Sequence, residues 1–207
     1  MLAGLVALVV LQKPSAQTDL QAVIDRYKSL KNVTFTIVRH RDPSDEKEVS
    51  ADRVNWNDRK HFQIDFLPWG ASISLTSPTL LCDDGIVDTL TAQGIIRTEK
   101  LDPGPDHIGI WEMRGGYLLC WLMGGKTWDM LTKADDLHQV DYAYGQKTKW
   151  RDFDVKEIVV TRTEAGIKEP VSVFLDPAVH SLVGYEDVEG GQPIWTEIRD
   201  VRETEKS

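Results

Sequence analysis

The chain has 207 residues, of which 41% are hydrophobic and 28% charged, with 15 glycines and 9 prolines; this is globular composition, and it excludes disordered, collagen-like and low-complexity classes. Lys and Arg number 24 against 33 Asp and Glu, a formal charge of −9, with no basic run to neutralise phosphates, so nucleic acid is not an expected partner. Seven tryptophans are many for this length and mark large amphipathic surfaces in a core or at a ligand site.

Leu2 to Leu11 is an unbroken run of ten apolar or glycine residues. That suits the apolar region of an export signal and is about half of the ~20 residues a membrane span needs. Cleavage after Ala16 makes 1–16 a signal peptide and 17–207 a single domain, although Pro14 departs from the small-residue rule and no Lys or Arg precedes the apolar run. The alternative is an apolar N-terminal element that stays in the fold. Export predicts a soluble periplasmic monomer. Cys82 and Cys120 are the only cysteines; they are candidates for one disulfide in an oxidising compartment, or for two buried thiols.

Thr18 or Asp19 is placed to cap a helix whose apolar residues Leu20, Val23, Ile24, Tyr27 and Leu30 recur at helical spacing, with its end near Lys31 and Asn32. From Val33 the period becomes two. Val33, Phe35 and Ile37 alternate with threonines, Asp42 to Glu48 forms a polar loop, and Val54 and Trp56 belong to a second strand. Phe62, Ile64 and Phe66 alternate in a third segment, Ile73 and Leu75 in a fourth. These segments predict an antiparallel meander with one wet and one apolar side. Asp84-Gly85 between Leu80-Leu81 and Ile86-Val87 predicts a type I′ hairpin, followed by a strand at Gly94 to Thr98.

Asp102 to Gly109 is a Pro/Gly loop, and Tyr117 to Met123 is apolar on every side between Gly115-Gly116 and Gly124-Gly125. That run predicts a short buried helix, or a plug that moves on glycine hinges. Strands resume near Val140 and continue at Val155 to Thr163, Val171 to Leu175, Val183 to Val188 and Ile194 to Val201. The turns between the last four are Glu164-Ala165-Gly166, Asp176-Pro177 and Glu189-Gly190-Gly191.

Most chemical motifs fail on inspection. Gly125-Lys126-Thr127 has the end of a phosphate-binding loop, but Cys120 stands where its first glycine is needed. Asp135, Asp136, His138 and Asp141 offer metal ligands within a short stretch; their spacing fits neither zinc nor an EF-hand, and a solvated acidic loop is the simpler reading. The five histidines are scattered, with no H-E-x-x-H, no G-x-S-x-G and no Cys-His context. No catalytic residue, metal or cofactor is assigned. Asn32-Val33-Thr34 is a formal glycosylation sequon.

What remains is the apolar face carrying Phe35, Ile37, Trp56, Phe62, Ile64, Phe66, Ile73 and Leu75, which must be covered. It either lines a cavity or packs as a closed core, and alternation is the same in both cases. The order helix, meander, Asp-Gly hairpin, central loop with helix, then four strands resembles the periplasmic outer-membrane lipoprotein carriers (LolA/LolB-like). The likeness is carried by Leu20 to Phe35, Asp58 to Phe66, Leu80 to Leu90, Val171 to Val188 and Ile194 to Val201. It implies an α+β, mostly antiparallel fold: a strongly curved incomplete barrel of about ten strands, lidded by the N-terminal helix and short central helices. It implies further that the eight residues above receive acyl chains of lipoproteins or lipids, with partner proteins at the inner and outer membranes. Trp111, Tyr117, Leu118, Trp121 and Leu122 would line the lid, and Arg59 is the latch candidate. The family's arginine precedes a proline four residues before an inward phenylalanine, whereas Asp58 occupies that position here. Two other classes remain: an envelope sensor or scaffold of the same fold binding a protein partner, and a metal protein or enzyme using Asp135 to Asp141.

Overall fold

The computed structural model describes residues 15–29, 32–41, 48–58, 60–66, 79–91, 94–100, 138–179, 181–189 and 192–203. Helix α1 (Ala16–Ser29) starts one turn before the expected cap. Ser15 takes that role: its hydroxyl accepts from the Thr18 amide at 3.2 Å, and its carbonyl accepts from the Asp19 amide at 3.0 Å. A serine outside the first turn satisfies an orphan amide as well as Thr18 would have, and leaves Asp19 inside the helix, buried against the sheet. Asn32, with φ of 55°, turns the chain into the first strand.

The strands are β1 (Val33–Arg41), β2 (Glu48–Asp58), β3 (His61–Phe66), β4 (Thr79–Asp83), β5 (Ile86–Thr91), β6 (Gly94–Lys100), β7 (His138–Tyr144), β8 (Lys149–Trp150), β9 (Phe153–Asp154), β10 (Lys156–Glu164), β11 (Ile167–Leu175), β12 (Leu182–Glu189) and β13 (Gln192–Glu203). Eleven of them form one sheet in the order β6-β5-β4-β3-β2-β1-β13-β12-β11-β10-β7. Two meanders, β1 to β6 and β10 to β13, are stitched together where the first strand pairs antiparallel with the last, and β7 adds beside β10. The sheet is curved and open, not closed into a barrel. The Asp84-Gly85 hairpin forms as expected, with φ of 45° and 80°, and Ala165-Gly166 repeats the geometry at 50° and 82°.

Helix α1 lies across the inner face of the second meander. At its start Asp19 accepts from Tyr144 Oη of β7 at 2.9 Å and from Lys156 Nζ of β10 at 3.0 Å. Near its end Arg26 reaches Glu203 of β13 at 2.8 Å. Fourteen helical residues span about 21 Å, close to the ~19 Å that four strand spacings occupy between β7 and β13. The buried Leu20, Val23 and Ile24 of α1 join one core cluster with residues of both meanders, among them Phe35, Ile64, Ile158, Val173 and Ile198.

The outer face is not wet throughout. Trp150, Val155, Phe174, Val183 and Trp195 form a second buried cluster there, under a small flap made of the β8–β9 hairpin. Consecutive residues are buried at Val173, Phe174 and Leu175 and at Ile194, Trp195 and Thr196, so these stretches of β11 and β13 are covered on both sides. Among the described residues no helix is long and apolar enough to cross a membrane. Ile73, Leu75, the Asp102 to Gly109 loop and the Tyr117 to Met123 run with its expected central helices lie outside the described residues.

Candidate functional site

Antiparallel partners in register share a face of the sheet, so the pairing alone builds the site. Val33 stands opposite Trp56, Trp56 opposite Phe62, Phe62 opposite Cys82 and Cys82 opposite Val87. The next inward row is Phe35, Val54, Ile64, Leu80 and Thr89; a third holds Ile37, Asp52 and Phe66. Six of the eight residues expected from sequence thus come together on one concave face: Phe35, Ile37, Trp56, Phe62, Ile64 and Phe66. All six are between 1% and 3% exposed. Trp56 and Phe62 stack across the strand pair with ring centroids 5.5 Å apart and planes 13° from parallel.

The face continues beyond what the sequence reading singled out. Ile37 pairs with Ile198, and the second meander adds Val160, Val173, Leu175 and Leu182 to the same cluster. The alternation in Val155 to Thr163 and Val171 to Leu175 carried that signal, but only the strand pairing shows that these residues point into the same concavity. A polar row crosses the face at the end away from α1: Arg39 stands opposite Thr196, and Thr196 opposite Tyr185. All three are buried, as is the neighbouring Asp52.

Side chains this thoroughly buried leave no room beside them for a hydrocarbon tail, so the concave face is closed and packed. A ligand entering it must displace what covers it.

Cys82 sits in this face as a free thiol, its Sγ donating to the Lys60 carbonyl at 3.2 Å. Burial pushes the thiol up to about 11, outweighing the hydrogen bond from the Gly85 amide, so it is un-ionised and inert at neutral pH. The other half of the expected disulfide, Cys120, lies outside the described residues, as do Arg59, Trp111, Tyr117, Leu118, Trp121 and Leu122. Of the acidic stretch, Asp135 and Asp136 also lie outside them, while Asp141 is exposed on β7. Among the described residues no group of three or more His, Cys, Asp or Glu is arranged to hold a metal ion.

No family model matches the chain, and no curated protein matches it. Solved structures do. The lipoprotein LppX of Mycobacterium tuberculosis aligns at a TM-score of 0.51 with 11% identity, covering 94% of this chain and 99% of that one. LprF of Mycobacterium bovis aligns at 0.46 with 11% identity, over 92% and 94%. A LolA superfamily protein of Nitrosomonas europaea aligns at 0.42 with 7% identity, over 94% and 96%. Only the first alignment is close enough to bear on architecture, and it bears on fold alone: the chain shares the fold of LppX, here an open curved antiparallel sheet with a helix across its concave side.

Proposed function

We propose that this domain is an exported carrier that takes acyl chains of lipids or lipoproteins against its concave face. The observation that carries the reading is the continuous inward surface of aromatic and branched side chains over both meanders, far wider than a single helix can cover. The six expected residues form its first-meander half. On the strength of its apolar composition between two glycine pairs, we assign the Tyr117 to Met123 run the role of the cover that yields to the ligand. Arg59 keeps the role of latch in this reading, and the export signal that of placing the domain in the periplasm.

A photoactivatable fatty acid tests the site without any substitution. After irradiation of the detergent-free protein with a diazirine analogue of palmitate, label is expected on Phe35, Trp56, Phe62 or Ile64. Label confined to the exposed outward residues Leu81, Ile86 and Ile95, or none at all, would contradict an acyl site on the inner face.

A further inference from the structure

Four buried polar side chains gather at one place on the concave face. Asp52 of β2 stands opposite Ile37 and Phe66, Arg39 of β1 opposite Thr196 of β13, and Thr196 opposite Tyr185 of β12, which in turn faces Val173. All four are at most 7% exposed. The pleat sets their direction: Thr196 alternates with Ile198 of the inner cluster, while Trp195 beside it belongs to the outer one.

Their place along the strands matters. On β1 the inward residues Val33, Phe35 and Ile37 lead to Arg39. Six residues at about 3.3 Å each make this an apolar track of about 20 Å with a polar row closing one end. A surface of that form matches an amphiphile, tail along the track and head at the row.

Thr196 stands apart from its neighbours. It is 0% exposed, and its hydroxyl finds no hydrogen-bond partner among the described residues. Valine has the same branching, suits a strand equally well and would fill the position without burying an unmatched hydroxyl. A ligand oxygen reaching Thr196 from the concave side supplies the missing bond, since a hydroxyl both donates and accepts.

The flanking charges decide which oxygen fits. Asp52 lies two residues beyond Ser50, the register partner of Arg39, so the two are diagonal neighbours across the β1–β2 pair, a separation that an arginine side chain spans. Their formal charges cancel. A carboxylate brought to so dry a place adds a charge that nothing balances, whereas an ester or alcohol oxygen adds none.

We propose that Thr196 is the polar anchor of the concave face, its hydroxyl hydrogen-bonding an uncharged oxygen at the head of the acyl chain, so that the face selects neutral acyl esters over free fatty acids. The inference rests on the acyl-carrier reading and adds a polar end to it. Once the cover is displaced, the tail runs along Ile37, Phe35 and Trp56, and the head meets Thr196 between Arg39 and Tyr185.

Equilibrium dialysis of the detergent-free protein at pH 8 against radiolabelled methyl laurate, laurate and dodecane separates head from tail. Thr196→Val is expected to weaken methyl laurate binding about fivefold and to leave dodecane binding unchanged, while Thr196→Ser keeps the wild-type affinity for the ester. Laurate is expected to bind more weakly than its ester, with no loss in Thr196→Val. The melting temperature of Thr196→Val is expected to equal or exceed that of wild type. Equal ester affinity in Thr196→Val and wild type would overturn the proposal and leave the carrier reading standing, as would laurate binding more tightly than methyl laurate. A Thr196→Val protein that melts lower yet binds the ester unchanged would make the hydroxyl a structural group. Binding of none of the three ligands to wild type would overturn the carrier reading itself, and this inference with it.

Discussion

Trp56 and Phe62 show how much a single inward pair contributes. Each is at most 3% exposed, and they meet as a stacked cross-strand pair. Trp56→Ala is expected to cost about 3–5 kcal/mol, because it removes the transfer energy and leaves a cavity, whereas Leu81→Ser, at a side chain 40% exposed on the opposite face, is expected to stay within about 0.5 kcal/mol. Urea unfolding of the two variants checks the contrast, and equal losses would mean that the inward face is not the core. Glu197 supplies a pH signature. Burial works against its carboxylate, but the His40 imidazole and the Arg199 guanidinium outweigh it and hold the group down at about 2, below the ordinary 4.5. Between those values the unfolded chain binds the proton and the folded chain does not. The stabilisation from Glu197 is therefore complete above about pH 4.5 and is lost as pH falls towards 2. Thermal unfolding of wild type and Glu197→Gln over that interval is expected to give a steep decline for the first and a shallower one for the second.

At the scale of elements, the N-terminal helix depends on a residue that a signal peptide cut after Ala16 would remove. Ser15 caps α1, and Ala16 is buried in the core at 5% exposure. Ser15→Ala is expected to lower stability by about 1 kcal/mol, measured by urea unfolding; no change would mean the cap is redundant. Gly184 makes a sharper case. A Cβ there would lie 2.4 Å from the Thr196 carbonyl oxygen, which is part of the β13 backbone and cannot step aside, and equally close to Trp150. Gly184→Ala is expected to cost about 1–3 kcal/mol, measured by urea unfolding; no loss would mean that the Thr196 backbone and Trp150 yield at no cost. The helix, the first meander and the Asp84-Gly85 turn were legible because each has a period or a turn chemistry of its own. The cap was missed because Ser15 lies beside the apolar leader and was counted with it. The flap was missed because strands of two residues, Lys149–Trp150 and Phe153–Asp154, have no periodicity to read. The consecutive Ile194-Trp195-Thr196, all buried, was the one available sign that β13 is covered on both faces.

At the scale of the molecule, the local pattern revealed which residues turn inward but not how the two halves meet. The pairing of β1 with β13 joins residues some 160 positions apart, and no short-range signal specifies it. It follows instead from the need of two half-sheets, each with an apolar side, to bury those sides together. Alternation was enough to place six of the expected residues on the inward face for that reason, while the inward position of Val160, Val173 and Leu182 had to await the topology. The resulting surface is wide, apolar and closed in the described state, on a chain whose net charge of −9 keeps its outside polar.

The central claim is that this closed face yields to an acyl chain, and native mass spectrometry of the protein purified without detergent, before and after incubation with palmitate or a diacyl lipopeptide, addresses it most directly. The expected result is a bound mass equal to one acyl-bearing molecule, released on denaturation and identified by lipid analysis. An apo mass under both conditions would contradict the carrier reading and leave the concave face as a structural core.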